Sequence, residues 1–427
     1  MNTSSTENSN LLIAGASTRA AAASALRAGL RPVCVDQFGD QDLQRIAQVI
    51  TKTERAADWL PLLDQLPAMN WIYTGALENQ PELIERIQQK HHLLGCGPDS
   101  LKFARDPFYL EQLLSGNQIE SAACLPANTM PADPENWLCK PVQSSAGQGI
   151  HSLDLNSPPL LDTQSHYLQR YQAGFPLSGL FIAFPQAVIL VGLASQFSGN
   201  PLLQAARFQF CGGVTLAPIP PVFRAALQEL GTSLARGCAL RGLFGCDLIW
   251  SPDQGERFWF TEVNPRYTAL TELFELQYRV PLLDWHKTAC HAFESSQSEA
   301  PAIDFETRLR KAEKQPLLQI SKGILYSREE RSAPDLSDRL TIKGSFVVPE
   351  SADLPNVGTT IPAGTPFCSV YGTGPDQKAS LEMLEIRIRE YYSLLTVDTH
   401  SKEQGFDSMA GLWPFESLPE RYFPGFS

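Results

Sequence analysis

From Asn10 to Asp36 the chain runs through an apolar stretch (LLIAG), a small-residue turn, an alanine-rich segment and a second apolar stretch ending in VCVD. This pattern predicts strand, turn, helix and strand, the repeating unit of a parallel sheet. NWIYTG repeats the strand pattern, and NQPELIERIQQ follows as a helix with Pro81 near its first turn. The first hundred residues thus read as a small three-layer module. After Asp99 the character changes. DSLKFARDPFYLEQLLSG predicts a helix, NWLCKPVQSSAGQGIHSLDL a strand, loop and strand, and Tyr167 to Gln169 a short strand. PVFRAALQELGTSLARGCALRG predicts a helix, and LFGCDLIW and RFWFTEVNP form two strands around the polar turn SPDQGE. A mixed sheet with helices on it is the packing these elements imply. Beyond about residue 300 the pattern becomes short strands and turns, among them LTIKGSFVVP and VGTTIPAGTPFCSVYG, closed by a helix over DQKASLEMLEIRIREYYSLL. The tail after His400 has no periodicity, and no internal repeat is visible.

One stretch tests the reading against a membrane protein. No charge occurs from Tyr171 to Ala206, and GLFIAFPQAVILVGLASQFSG is long enough to suggest a span. Pro185 and Gln186 divide it, small and polar residues interrupt it, and no charged anchors flank it closely. A buried hairpin explains it better.

Composition adds bounds. The 427 residues, 43% hydrophobic and 19% charged, suit two or three folded modules. A formal net charge of -12 argues against a broad nucleic-acid surface, because phosphate backbones are held by clustered Lys and Arg. The nine cysteines are scattered without a C-x-x-C pair and read as reduced thiols, the pattern of a cytoplasmic protein. MNTSSTENSN lacks the basic and apolar regions of a secretion signal.

Three segments carry candidate chemistry. In FTEVNPRYTALTE, Glu262, Asn264 and Arg266 recur at every second position. On a strand they share one face at steps of about 6.5 to 7 Å, and a neighbouring strand about 4.8 Å away brings Asp247 alongside. Two carboxylates and an amide oxygen are hard ligands suited to magnesium, and Arg266 supplies a fixed positive fork for a phosphoryl group. In CKPVQSSAGQGI, Lys140 ends an apolar strand and Ser144, Ser145, Gly147 and Gly149 make a loop whose N–H groups can fold over phosphates. It has neither a Walker A nor a G-x-G-x-x-G pattern, so alone it reads as a plain turn, and its value comes from the segments around it. In YLQRYQAGFPLSG, backbone groups after a short strand can pair with an adenine edge, with Tyr171 and Phe175 as apolar walls, or simply connect.

In this order, and behind a strand-helix-strand module, these segments make the chain resemble the ATP-grasp superfamily of carboxylate-amine ligases and biotin-carboxylase-like enzymes over roughly residues 10 to 375. EVNPR, which is similar to the family's metal-binding strand, is the most specific piece. The resemblance implies an α/β and α+β fold of ATP-grasp architecture: a Rossmann-like module over 10–98, a two-lobed ATP-grasp domain over 99–298 (lobes about 99–166 and 167–298), a small C-terminal β module with a closing helix over 299–398, and a tail over 399–427. It implies ATP and Mg2+ (or Mn2+) as cofactors, with Asp247, Glu262 and Asn264 as metal ligands, Arg266 on the phosphate and acyl phosphate, Lys140 on the nucleotide, and Gln169, Arg170 and Tyr171 as a hinge reading adenine largely through backbone. Many relatives have a second basic residue before the glycine loop; KFARDPF offers Lys102 or Arg105. Many also hold the ribose with an acid just after the hinge, where this chain has Ser178.

The implied reaction activates a substrate carboxylate as an acyl phosphate and joins it to an amine, releasing ADP and phosphate. Its partners are small molecules, not nucleic acid or membrane, and a sheet edge offers a homodimer contact. GASTRA, where helix N–H groups and Arg19 can hold an anion, and RFQFCGGVTLAP, with Arg207, Gly212 and Gly213, are candidates for the acceptor site. The pattern of ADLPNVGTTIPAGTPFCSVYG resembles relatives that join glutamate to methanofuran or methanopterin precursors in one-carbon cofactor biosynthesis. A bicarbonate-using ATP-grasp carboxylase is the first alternative; no M-K-M biotin attachment stretch is present. A dinucleotide oxidoreductase, suggested by Asp36 at the end of the second strand, lacks its glycine fingerprint. A non-catalytic nucleotide-binding protein is the third. His91, His92, His286 and His291 read as packing or solvated residues.

Overall fold

The computed structural model describes residues 9–51, 58–153, 162–295, 299–340, 345–396 and Trp413. The first module is a five-stranded parallel sheet ordered Gln48–Thr51, Arg31–Asp36, Asn10–Gly15, Asn70–Tyr73 and His92–Leu93. Its two central strands are buried on both faces, which is why they read as continuous apolar runs. The helix Arg19–Arg27 packs on the sheet through Ala21, Ala22 and Ala25, and Pro81 opens the helix Pro81–Gln88 as expected.

The single helix expected after Asp99 is two, Pro98–Ala104 and Pro107–Leu114. Pro107 disfavours helical backbone at the residue before it, and the Asp106 carboxylate caps the second helix by accepting from the N–H of Phe108 and Tyr109. The break places Arg105 at a corner. A four-stranded antiparallel sheet follows, ordered Cys124–Pro126, His166–Arg170, Trp137–Pro141 and His151–Ser152.

The uncharged stretch is the centre of a nine-stranded sheet. Phe175–Ala183 and Val188–Ser198 form its middle hairpin. Alternate residues serve opposite cores: Leu177, Phe181 and Ala183 pack under the helix Pro221–Gly237, whereas Leu180 and Ile182 pack with Leu273 and Phe274 of the helix Thr271–Tyr278. A strand covered on both sides has no face left for charge. Close approach is built into the sequence, since a Cβ on Gly231 would lie 2.5 Å from the Phe181 ring and one on Gly192 2.3 Å from Phe274. Among the described residues no helix is long and apolar enough to cross a membrane.

The strands Gly242–Ser251 and Arg257–Asn264 form the predicted hairpin beside this pair. On the other side the chain after residue 300 differs from expectation in two ways. It begins with a helix, Ala300–Glu313, and its long strands Gln319–Tyr326 and Pro366–Gly374 extend the same central sheet through Phe210–Thr215. Residues 341–344 of LTIKGSFVVP lie outside the described residues, and the closing helix is Gln377–Thr396. The tail 399–427 also lies outside them, except Trp413, whose ring packs 4.7 Å from that of Phe197.

Candidate active site

A cavity of about 640 Å³ opens where the three sheets meet, and Lys140, Gln169, Asp247, Glu262, Asn264 and Arg266 all reach its wall. The hairpin register explains the acids: Asp247 pairs with Glu262 across the strands, and Asn264 follows two residues on, opposite Gly245. Asn264 Nδ2 donates to Asp247 Oδ2 at 3.1 Å, and Asn264 Oδ1 accepts from the Arg266 guanidinium at 3.2 Å. Pro265 ends the strand at Asn264, so Arg266 arrives through a turn rather than as a third strand position.

The acids are electrostatically strained. Burial and the charge of Glu262 push Asp247 up to about 7. Burial also opposes ionisation of Glu262, but Lys140, Arg105 and Arg266 outweigh it and hold Glu262 below its ordinary value. The two carboxyls face each other across the hairpin, so burial and mutual repulsion oppose their ionising together. A divalent cation offsets that repulsion, and this pair of hard oxygen donors fits magnesium or manganese. Ser178, which stands where many relatives have a ribose-holding acid, hydrogen-bonds Asp247 from the adjacent strand.

Lys140 is buried at the end of its strand, with Nζ donating to Gln169 Oε1 at 3.0 Å and lying over the Tyr167 ring. Its pKa is raised: burial lowers it, but Tyr167 and Glu262 more than compensate. Arg105 and Lys102 separate clearly. Arg105 lines the cavity and its guanidinium donates to the carbonyls of Val142 at 2.9 Å and Ser144 at 3.3 Å, which ties it to the glycine loop; Lys102 stays exposed over the Phe103 ring. Ser144, Ser145 and Gly147 line the cavity, while Gly149 sits outside its wall and turns the loop with φ +77. Gly147 has φ +75, and a Cβ there would lie 2.0 Å from the Phe208 carbonyl oxygen, so the loop rests directly on the neighbouring turn.

The hinge departs from its sequence reading. The N–H groups of Arg170 and Tyr171 donate to the carbonyls of Ala123 and Asn136, so neither is left for a base edge. Gln169 works through its side chain, accepting from Lys140 and donating to the Thr261 carbonyl, and Arg170 pairs with Asp133 on the surface. Tyr171 lines the cavity as expected, but Phe175 packs on Trp250; Leu138, Ile150, Ile249 and Phe260 supply the apolar wall.

The acceptor candidates also resolve. The turn in GASTRA is filled from within: Asp36 accepts from Thr18 N and Oγ1 and from the N–H of Phe38 and Gly39. Arg19 is committed to Asp353 and Glu272. Gly212 and Gly213 are buried sheet positions, a Cβ on Gly212 falling 1.9 Å from the Lys322 carbonyl oxygen, and Arg207 lies over the Phe208 ring. His286 bridges Leu243 N and the Leu94 carbonyl as a packing residue, while His92 and His291 flank Glu294 at the surface.

Glu78 was not legible in the sequence. It is 2% exposed on the short turn Leu77–Asn79 of the first module, and its Oε1 accepts from Arg266 Nε at 2.7 Å. Arg266 is therefore oriented by an acid 188 residues away. Asn79 beside it accepts from Arg105 at 2.7 Å, so one turn aligns both guanidiniums.

The family model described as ATP-grasp domain matches residues 104–270, the span that holds Arg105, the glycine loop, the acids and Arg266. Solved structures resemble nearly the whole chain at low identity. An L-amino acid ligase from Bacillus licheniformis matches with TM-score 0.63 and 11% identity, covering 90% of this chain and 98% of that one. A biotin carboxylase from Campylobacter jejuni, in a β-γ-ATP complex, matches with TM-score 0.60 and 13% identity, covering 88% and 91%. An N5-carboxyaminoimidazole ribonucleotide synthetase from Thermotoga maritima matches with TM-score 0.57 and 11% identity, covering 90% and 98%. No curated protein matches the chain.

Proposed function

We propose that this chain, which carries an ATP-grasp domain, is an ATP-dependent carbon–nitrogen ligase that activates a small-molecule carboxylate as its acyl phosphate and passes the acyl group to an amine. The observation that carries the reading is the cross-strand pair Asp247 and Glu262 in one cavity with Lys140 and Arg266. In-line phosphoryl transfer asks the protein for positioning and for neutralisation of charge rather than for a covalent nucleophile. Asp247 and Glu262, with Asn264 beside them, would hold Mg2+ or Mn2+, which supplies neutralisation of the phosphate oxygens when bound. Lys140 stands ready to hold a phosphate oxygen, fixed by Gln169, and Arg266 presents its guanidinium to the migrating group while Glu78 holds it in place. The apolar wall of Leu138, Ile150, Ile249 and Phe260 suits an adenine ring. In the second step an amine attacks the acyl carbon, its carbon–nitrogen bond forming as the bond to the phosphate oxygen breaks.

The domain layout that goes with this reading is a substrate-facing module over 10–98, an ATP-grasp domain over 99–298 and a C-terminal part over 299–398 that completes the central sheet. Nine buried cysteines, all free, suit a reducing compartment such as the cytoplasm. Glutamate as amine and a place in one-carbon cofactor biosynthesis are the narrower reading, supported by the pattern of residues 352–372 alone. The test is ADP release by the full chain with MgATP over a panel of amines crossed with a panel of carboxylic acids, glutamate included. Release that requires one member of each panel is expected; release that requires bicarbonate instead would establish the carboxylase alternative, and none with any pair would leave a nucleotide-binding protein.

The glycine loop gives an independent check. Gly147→Ala forces a side chain into left-handed backbone at about 1–3 kcal/mol and against the Phe208 carbonyl. Borne by the closed loop, that strain weakens nucleotide affinity about 5- to 150-fold. Calorimetric titration with MgADP should show it, and unchanged affinity would remove the loop from the nucleotide site.

A further inference from the structure

The same cavity runs past Arg266 to a second end, lined by Ser17, Phe38, Asp40, Thr268, Lys322 and Asp353. Its charges do not balance. Asp40, Asp42, Asp353 and Glu272 supply four carboxylates, against the two cations Arg19 and Lys322. Both cations are spoken for: Arg19 bonds Glu272 at 2.9 Å and Asp353 at 2.8 Å, and Lys322 bonds Glu272 at 2.6 Å. Asp42 accepts the N–H groups of Asp353 and Leu354. Asp353 is fixed further by Ser369 and adopts φ +57, a left-handed conformation costly for a residue with a side chain and kept only where the surroundings impose it.

Asp40 stands apart. It is 6% exposed, and its carboxylate has no hydrogen bond or ion pair among the described residues. An aspartate at the start of a helix ordinarily folds back onto the first free N–H groups; this one leaves its helix uncapped and keeps its accessible surface on the cavity. A buried, unpaired carboxylate is costly. Burial first, then Asp353, Asp42 and Asp36, raise its pKa well above the usual carboxylate range, the response expected of an acid lacking a cation. Among the described residues these acids do not bring three ligand atoms within reach of one ion; the group that does is His92, His291 and Glu294 at the surface.

We propose that this end of the cavity is an ammonium subsite in which Asp40, backed by Asp353 and Asp42, receives a cationic nitrogen of the amine substrate. The inference rests on the ligase reading for the direction of the cavity, with nucleotide at the Asp247 end and amine at this one. It restricts the substrate class to amines that turn a positive group to the first module, and it excludes those that turn a carboxylate there, such as the side chain of glutamate.

The experiment is saturation-transfer NMR of the full chain at neutral pH with 1,4-diaminobutane, with 1-butanol as the uncharged control and with L-glutamate, alongside MgADP titration. Wild-type protein should bind the diamine and not the alcohol, and Asp40→Asn should weaken the diamine at least about tenfold while the MgADP affinity, which reports the fold, is unchanged. Equal diamine affinity in the variant, absence of diamine binding in the wild type, or glutamate binding indifferent to Asp40→Asn would overturn the subsite. Diamine binding that depends on Asp40 in a chain that binds no MgADP would sustain the subsite and remove the ligase reading instead.

Discussion

Glu262→Gln is expected to lower ATP turnover by about 10²- to 10³-fold with little change in fold. The substitution keeps shape and one oxygen but removes the charge that Lys140, Arg105 and Arg266 surround. Groups aimed at the charge that develops in a transition state have effects of this size, because the site meets that charge without reorganising. A second readout separates metal binding from a general defect. With Asp247 held at about 7, a Mg2+ ion bound by this pair competes with a proton, so its apparent affinity should fall by up to about tenfold per pH unit below about 7. With glutamine at 262 the charge that raises Asp247 is gone, so Asp247 ionises at lower pH and the slope in that range should flatten. Titration of Mg2+ at several pH values with a fixed nucleotide analogue measures both. Full turnover in Glu262→Gln would remove these acids from catalysis, and an unchanged slope would place the metal elsewhere.

How much of this was readable in the sequence depends on the range of each contact. The acids were legible because Asp247 and Glu262 sit in one hairpin whose register follows from a short turn, and strand alternation then brings Asn264 to the same place. The buried hairpin was legible too, since two covered faces leave a long uncharged run. Contacts between modules were not. Glu78, Asp40 and Asp353 lie in turns with no periodicity, and nothing local marks which distant residue they face. The hinge shows a different limit: the N–H groups of Arg170 and Tyr171, matched to a family role, already donate to the carbonyls of Ala123 and Asn136. The C-terminal strands were identified as strands, but which sheet they join depends on Gly212, whose missing side chain lets Gln319–Tyr326 approach.

Arg266→Gln should have two separable effects because its guanidinium serves two masters. Toward the cavity it faces the proposed site of phosphoryl transfer, and loss of that fork should cost about 10²- to 10³-fold in turnover. Toward the first module it neutralises Glu78, whose side chain is 1% exposed and whose second oxygen has no hydrogen-bond partner. Removing the arginine strands that charge in the interior, which costs roughly 3–5 kcal/mol when a buried pair is broken from one side. Glu78→Gln in the same chain removes the stranded charge, so the double variant should recover most of the stability measured by denaturant unfolding while remaining as inactive as Arg266→Gln alone. The single variant Glu78→Gln tests the remaining link. It keeps the guanidinium but frees its direction, so turnover should fall by less than in Arg266→Gln, and Arg266→Lys, which keeps the charge without the fork, should not rescue it. If activity returned with stability in the double variant, Arg266 would be a structural tie between modules, and the phosphate would have to be held by Lys140 and the metal alone.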